Sequence, residues 1–159
     1  MQAEFGARVE EFRGETHIFV EAPRIVEALT ALRDTHDFKL LSAMTAVDYW
    51  PQESPRFHVV YQLTSVTKNA SIQARVAVGG EQPELPTASG VFASANWRER
   101  EVFDMFGIRF AGHPDPRRIL MPTDYEGHPL RKDHPLGYEE PQFTFNFDEI
   151  RLAKPSPKE

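Results

Sequence analysis

The pattern of apolar and polar positions predicts strands at four places in the first half of the chain. Residues 16–21 (THIFVE) and 57–65 (FHVVYQLTS) are rich in β-branched and aromatic residues, a composition typical of strands. Residues 71–78 (SIQARVAV) alternate apolar and polar side chains, as a strand with one buried face does. Residues 38–49 (FKLLSAMTAVDY) form a mostly apolar run, which predicts a strand with both faces partly covered. The pattern therefore indicates a β-sheet.

Two further segments have the spacing of a helix. In residues 22–34 a proline occupies the favoured first turn, and the apolar residues recur on one stripe that would pack on a sheet. A second helix is predicted over residues 97–106, with Asn96 as its N-cap and Glu99 completing a capping-box-like pair. Gly107 can then supply the left-handed turn that ends this helix.

The order of these elements predicts the fold class. Residues 7–12 suggest a short additional helix, and residues 79–90, rich in glycine and proline, suggest a surface loop. The main order, β-α-β-β-β-α, predicts a compact α+β domain with a mixed sheet over residues 1–110, followed by an extended C-terminal arm. Within the second helix Arg100 and Asp104 are four residues apart, so we expect them to pair along the helix face.

The periodic pattern ends beyond residue 110. Residues 111–137 are predicted to be an extended segment of the same domain, dense in proline, histidine and charges of both signs. From residue 96 to residue 136 the basic and acidic side chains balance one for one. Such a composition suits a segment that is fixed by ion pairs, either within the protein or across the surface of a partner.

Residues 138–159 are predicted to form a C-terminal arm and tail. Phe143, Phe145 and Phe147 alternate with polar residues and would share one side of an extended strand. Three phenylalanines on one face would be an unfavourable exposed patch on a free monomer, so we expect them to dock on a partner protein. The alternative, that the arm folds back over its own domain, stays open.

Composition and charge exclude several classes of function. Hydrophobic residues make up 40% of the chain and charged residues 26%, which is ordinary for a soluble globular protein. The net charge of -6 gives no electrostatic reason to expect nucleic acid. The absence of cysteine excludes thiolate-ligated iron–sulfur clusters, disulfides and thiol catalysis. No apolar run approaches the roughly 20 residues that span a bilayer, so any membrane association is expected to go through another protein.

The residues by themselves indicate no self-contained active site. His113, His128 and His134 could be metal ligands of a stand-alone enzyme, but their spacings match no metal motif and each precedes a proline. Asp48 could act as an acid or base, but a strand-end aspartate facing a turn is the simpler interpretation. The glycine-rich loops that bind phosphates, GxGxxG and GxxxxGK[ST], are both absent.

The segment from residue 97 to residue 136 closely resembles the 30 kDa, or C, subunit family of respiratory complex I, NADH-quinone oxidoreductase. The matching motifs are Glu99-Arg100-Glu101, Asp104 with Met105-Phe106-Gly107, His113-Pro114-Asp115, Arg118-Ile119-Leu120, and Gly127-His128-Pro129-Leu130-Arg131-Lys132-Asp133. So long a motif is highly specific. One position departs from the family pattern, because His134 stands where a phenylalanine is common.

The resemblance implies a core subunit of the peripheral arm of the complex, without a flavin, iron–sulfur cluster or catalytic residue of its own. FMN, the clusters and quinone would belong to partner subunits, and this chain would brace the quinone-cavity subunit and the terminal iron–sulfur subunit. It would be a peripheral protein on the cytoplasmic face of the inner membrane. The homologous subunit of a hydrogenase- or ferredoxin-linked complex remains an alternative, because the electron donor binds elsewhere.

We expect structural or interface roles for a set of residues, and no catalytic, cofactor-binding or metal-binding role in this chain. The set consists of the charged and histidine residues of the motif together with the three phenylalanines of the arm. Its members are Glu99, Arg100, Glu101, Asp104, His113, Asp115, Arg117, Arg118, His128, Arg131, Lys132, Asp133, Phe143, Phe145 and Phe147.

Overall fold

The computed structural model describes residues 7–135; residues 1–6 and 136–159, which include the predicted C-terminal arm, lie outside the described part. The described residues form seven strands, one 3-10 turn and two α-helices. In chain order they are β1 (Arg8–Phe12), β2 (Glu15–Val20), the 3-10 turn (Ala22–Arg24), α1 (Ile25–Asp34), β3 (Leu40–Asp48), β4 (Phe57–Ser65), β5 (Ala70–Val78), β6 (Glu84–Pro86), α2 (Ala95–Phe106) and β7 (Arg109–Ala111).

The first five strands form one mixed sheet in the order β1-β2-β5-β4-β3. Strand β2 runs parallel to β5, whereas every other neighbouring pair in this sheet is antiparallel. The parallel pairing is possible because the 3-10 turn and helix α1 follow β2 in the chain and form a crossover connection to β3 at the other edge of the sheet. The prediction of an α+β fold with a mixed sheet is confirmed.

The prediction of a short helix over residues 7–12 is wrong, because this segment is strand β1. Arg13 and Gly14 both have positive φ, of 53° and 82°, and form a two-residue turn that pairs β1 with β2 as a hairpin. Positive φ at both central residues gives a turn whose twist matches that of the flanking strands. The hairpin therefore decides the conformation of this segment.

The predicted loop over residues 79–90 also contains regular structure. Residues 84–86 form β6, which pairs in parallel with β7, directly after helix α2. Each of these strands has only three residues, too few for an alternating pattern to be visible. The pair brings the end of α2 next to the loop that precedes the helix.

One face of the large sheet and both helices enclose the core. From the sheet it includes Tyr61 and Leu63, and from the helices Leu29, Leu32 and Val102, all less than 3% exposed. Burying side chains of this size contributes about 1.5–3 kcal/mol each. The expectation that strand β3 has both faces partly covered is wrong, since the strand buries its core-facing positions and is exposed on the other side.

Candidate functional site

Three charged side chains of α2 are buried, although charged residues are rarely buried without partners. Glu99 and Asp104 have no exposed surface and Arg100 is 9% exposed. The helix begins at Ala95, so Asn96 is not its N-cap, and the capping box predicted with Glu99 does not form. All three charged side chains bind groups outside the helix, and these contacts connect α2 to the rest of the chain.

Glu99 binds the loop between β6 and α2. Its Oε1 accepts the backbone N–H of Ala88 at 2.6 Å, and its Oε2 accepts the hydroxyl of Thr87 at 2.5 Å. The Nε2 atom of His113 lies 3.7 Å from Oε2. Burial raises the pKa of Glu99, and the two hydrogen bonds from Thr87 and Ala88 oppose that rise. Glu99 therefore satisfies the buried N–H of Ala88 and holds Thr87 against the helix.

Arg100 does not pair with Asp104, so this prediction is wrong. Its Nε and Nη2 donate to the carbonyls of Arg117 and Arg118, at 2.9 and 3.1 Å, and its Nη1 lies 3.4 Å from Asp115 Oδ2. Asp104, four residues away on the helix, would offer Arg100 one ion-pair partner. The segment after β7 offers it three acceptors, which are two carbonyls and the Asp115 carboxylate. Arg100 consequently holds that segment against the helix.

Asp104 holds the next turn of the same segment. Its Oδ2 accepts the backbone N–H groups of Ile119, Leu120 and Met121, at 3.0, 2.7 and 2.9 Å, and its Oδ1 accepts Nη1 of Arg118 at 2.7 Å. Burial opposes ionisation of this carboxyl, but the three backbone donors and the guanidinium outweigh burial and hold its pKa below the ordinary value. The carboxylate form is therefore the stable one.

His113 is bound on both ring nitrogens. Its Nδ1 accepts the backbone N–H of Asp115 at 3.0 Å, which assigns the ring proton to Nε2. Nε2 then donates to the carbonyl of Asn96, also at 3.0 Å. This histidine fixes the start of the segment beside the first turn of α2.

The other two motif histidines lie elsewhere. His128 shares a hydrogen bond of 2.9 Å between Nδ1 and the carbonyl of Asp104, and His134 one of 3.1 Å between Nε2 and the hydroxyl of Tyr125. The three histidines therefore bind different partners, which are the carbonyl of Asn96, the carbonyl of Asp104 and the hydroxyl of Tyr125. Within residues 7–135 no group of three or more His, Asp or Glu side chains is placed to hold a metal ion.

The end of α2 is covered by the last part of the described segment. Leu130 N–H donates to the carbonyl of Met105 at 3.1 Å, and Arg131 Nε donates to that of Phe106 at 2.6 Å. These contacts satisfy carbonyls that have no partner within a helix end. Gly107 has the predicted left-handed conformation, with φ of 73°, and a Cβ there would lie 2.6 Å from His128 and Arg131.

A second ion-pair cluster, which sequence reasoning missed, joins the β3–β4 hairpin to the same segment. Arg56 binds both oxygens of Asp48, at 3.0 and 2.8 Å, and both oxygens of Asp133, at 2.9 and 2.7 Å. Asp48 also accepts the backbone N–H of Trp50 and of Lys132. Burial would raise the pKa of Asp48, but Arg56 and the two N–H groups lower it to about 2.

The position of Asp48 agrees with the simpler interpretation only in part. It ends strand β3 as expected, yet it is a buried ion-pair partner, 3% exposed, and not a residue of the turn surface. The only sequence signal for this pair is an arginine eight residues downstream, across a strand hairpin. That spacing has no characteristic pattern, so nothing in the sequence singles out Arg56.

The remaining predicted site residues are on the surface or outside the described part. Glu101 and the side chain of Lys132 are exposed, and Arg117 binds Asp115 through two exposed bonds of 2.6 and 2.9 Å. The three phenylalanines of the arm, Phe143, Phe145 and Phe147, lie outside the described residues. None of the helices described within residues 7–135 has the length and apolar character needed to cross a bilayer.

The buried charged side chains of the site bind groups of this chain. The buried acids and bases on α2 use their donors and acceptors on the protein's own backbone and side chains. Their combined effect is to hold residues 113–133, which contain little regular structure, in one fixed path along the helix.

Comparison with known proteins identifies the family. Residues 18–140 match the sequence profile described as the respiratory-chain NADH dehydrogenase 30 Kd subunit. A protein of Roseiflexus sp. (strain RS-1), named as the C subunit of NADH-quinone oxidoreductase, is 50% identical over 151 residues, which cover 94% of this chain and 86% of the relative. A protein of Salinispora arenicola with the same name is 48% identical over 138 residues, which cover 84% of this chain and 56% of the relative.

Solved structures agree with this assignment. A trypsin-resistant fragment of Nqo5 superposes with a TM-score of 0.62 at 36% identity, covering 69% of this chain and 89% of the fragment. A chain of the membrane-bound sulfane sulfur reductase, an archaeal respiratory membrane complex, has a TM-score of 0.74 over 94% of this chain and 84% of its own length. Its identity is 22%, so it shows a shared fold only. The chain belongs to the family of the 30 kDa subunit of respiratory-chain NADH dehydrogenase.

Proposed function

We propose that this chain is a non-catalytic core subunit of the peripheral arm of a membrane-bound, proton-translocating NADH:quinone oxidoreductase. In this role it braces the quinone-cavity subunit and the terminal iron–sulfur subunit while electrons pass from NADH to quinone. Family membership supports the proposal, as do the names of the relatives, which are subunits of NADH-quinone oxidoreductase.

The observation that carries the proposal is the use made of the buried charges. Glu99, Arg100 and Asp104 belong to the motif that resembles the family, and each one binds the protein's own loops. A catalytic carboxylate needs a face open to substrate, whereas these carboxylates have no exposed surface. The motif therefore suits rigid placement of a surface better than chemistry.

The surface formed by helix α2 and residues 113–133 carries several exposed apolar side chains. Leu120 is 61% exposed and follows directly on the Asp104 cluster, and Trp97 on the first turn of α2 is also 61% exposed. Leu130, 54% exposed, lies where the segment covers the end of the helix. Contiguous exposed apolar surface marks protein–protein contacts, and in the proposed role these three side chains take part in such contacts.

We further propose that this subunit binds no redox cofactor, and that FMN, the iron–sulfur clusters and quinone are bound by its partners. The chain has no cysteine to ligate a cluster and no glycine-rich loop for a nucleotide phosphate. We expect the purified chain, prepared with iron and flavin present, to be colourless. A visible absorbance band that copurifies in stoichiometric amount would contradict this part of the proposal.

The proposed location is the cytoplasmic face of the inner membrane, where the chain would be held through the complex. The alternative of a stand-alone metal enzyme has no specific observation in its favour, since His113, His128 and His134 bind three different groups. A hydrogenase- or ferredoxin-linked complex would use the same scaffold, and the identity of the copurifying proteins distinguishes it.

Capture of the tagged chain from detergent-solubilised membranes tests the proposal. We expect the other peripheral-arm subunits to copurify in equal amounts, together with NADH:quinone activity. An untagged strain serves as the control. Recovery of the chain alone with stoichiometric zinc, iron or manganese would support the metal enzyme. Recovery with hydrogenase or ferredoxin-linked subunits would support the related complex instead.

A further inference from the structure

A cavity of about 420 Å³ opens between helix α2 and the short β6–β7 pair. Its walls include Phe103 of the helix, Phe110 and Ala111 of β7, and Pro116 of the following segment. Phe110 is buried, Phe103 is half-buried, and Ala111 and Pro116 are exposed at the mouth. The cavity is thus an apolar hollow that reaches the surface, of the size of ordinary ligand and anchor pockets.

The charged groups in the wall are already bound. Glu99 accepts bonds from Thr87 and Ala88, and Arg100 donates to two carbonyls of the following segment. Neither group therefore requires a polar ligand in the cavity. The interior favours an apolar occupant, because a polar one would lose its hydration without gaining new hydrogen bonds.

The rim has a different character. Glu84 of β6 and Arg109 of β7 are register partners in the two-stranded pair, and both line the opening. Both are exposed, and none of the ion pairs found within residues 7–135 includes either of them. The opening therefore presents one negative and one positive group around an apolar hollow.

We propose that this cavity receives an apolar side chain from a neighbouring subunit of the complex. The inserted residue lies in a segment that brings an acidic group to Arg109 and a basic group to Glu84. This inference rests on the proposed function, because it takes the partner to be a subunit of the same assembly. It adds a specific anchor site to the exposed apolar residues Trp97, Leu120 and Leu130.

The two signs of charge at the rim favour a protein over a lipid or a quinone. An anionic lipid would be attracted by Arg109 but repelled by Glu84, and a neutral quinone would gain nothing from either charge. A polypeptide can carry an apolar anchor between flanking charges of both signs. Lipid or quinone occupancy is accordingly an outcome that overturns the proposal.

Ala111→Phe tests the cavity, because the larger side chain at this exposed lining position would occupy part of the cavity and obstruct its opening. The matched control is Ala77→Phe, which adds the same side chain at an exposed position on β5, a strand of the large sheet. We expect both variants to fold and melt like the wild-type chain. Incorporation of Ala111→Phe into the complex should fall about tenfold or more, as for the loss of a central anchor, whereas Ala77→Phe should assemble normally. Normal assembly of Ala111→Phe would overturn the proposal.

A photoreactive phenylalanine analogue in place of Glu84, with the same analogue in place of Ala77 as control, identifies the occupant in the assembled complex. A crosslink from position 84 to an apolar residue of another subunit supports the proposal. A crosslink to lipid or quinone, or no crosslink in a complex that has formed, overturns it. If the wild-type chain fails to copurify with any complex, the proposed function itself is wrong, so the two failures are distinguishable.

Discussion

Asp104→Asn removes one negative charge from a fully buried side chain and keeps its shape. In the wild-type chain one oxygen of Asp104 accepts three backbone N–H groups and the other accepts Arg118. Asparagine has a single acceptor oxygen and an NH₂ group that donates. Whichever way the amide is turned, its NH₂ group faces a donor, either the guanidinium or the N–H groups of residues 119–121.

The size of the effect follows from burial. Breaking a buried ion pair costs about 3–5 kcal/mol, because the remaining charge stays buried without its partner. The side chain of Arg118 is 16% exposed and also donates to the carbonyl of Gly127, which moderates the loss. We therefore expect Asp104→Asn to lower the free energy of unfolding by about 3 kcal/mol, at the lower end of the range. For a chain of this size that corresponds to a melting temperature lower by roughly 6–12 °C.

The assay is urea or thermal unfolding of the isolated chain, followed by circular dichroism, with Asp34→Asn as the matched control. Asp34 accepts two bonds from Arg33, at 2.7 and 3.0 Å, but its side chain is 55% exposed, so its loss should change the melting temperature far less. The pH dependence adds a second criterion. Because the native pKa of Asp104 is lowered, its stabilisation is present above the unfolded pKa of about 4 and is lost as pH falls through the native value.

Two results would refute this reasoning. The first is a loss below about 1 kcal/mol at neutral pH, which would place Asp104 among ordinary surface pairs. The second is a difference between wild type and Asp104→Asn that stays constant in acid. That result would show that the effect comes from packing and not from the carboxylate charge.

Three other changes test the rest of the scaffold. The pKa of Asp48 is lowered to about 2, so its contribution of about 2 kcal/mol to the free energy of unfolding should be present above pH 4 and disappear towards pH 2. In acid titrations of stability, Asp48→Asn should remove this pH dependence. Gly107→Ala should lower the free energy of unfolding by about 2 kcal/mol or more, since its Cβ would meet His128. Gly80→Ala is the control, because its Cβ would have no atom within 4 Å and its cost is only the strain of a positive φ. Equal losses in thermal melts would contradict this reasoning. Truncation after Tyr138 should leave the melting temperature nearly unchanged but impair incorporation into the complex, and a drop of many degrees would show that the arm belongs to the chain's own core.

Local patterns were sufficient for the longer elements of the fold. Strands β4 and β5 and helix α1 have clear periodicity or composition over nine or ten residues, and the structure confirms all three. Gly107 ends α2 in the left-handed conformation because glycine adopts positive φ without a steric penalty. The dense motif after residue 97 identified the family for a different reason, since many residues at fixed spacing carry more information than any single element.

The partners of the buried charges could not be predicted from spacing. The rule for residues four apart on a helix pairs Arg100 with Asp104, but both side chains bind residues that follow 14 to 18 positions later in the chain. Nothing in the local sequence indicates where an irregular segment returns to the helix. The Arg56 cluster was missed for the same reason, because its two aspartates are separated in sequence by most of the domain.

Short elements were missed for a reason of length. Strand β1 depends on the Arg13-Gly14 turn, which lacks the asparagine or aspartate that commonly marks such turns. Strands β6 and β7 are held by each other and by the end of α2, so their three-residue sequences carry no pattern of their own. In both cases tertiary contacts and turn geometry decide the local conformation.

The most direct test of the central claim is the NADH:quinone activity of membranes from cells that lack this chain. We predict that the activity is lost together with the assembled peripheral arm, and that the wild-type chain restores both when it is supplied again. Restoration by the Asp104→Asn variant should be weaker, because cells degrade a destabilised chain faster and less of it accumulates. Membranes without the chain that keep full NADH:quinone activity and an intact peripheral arm would contradict the account.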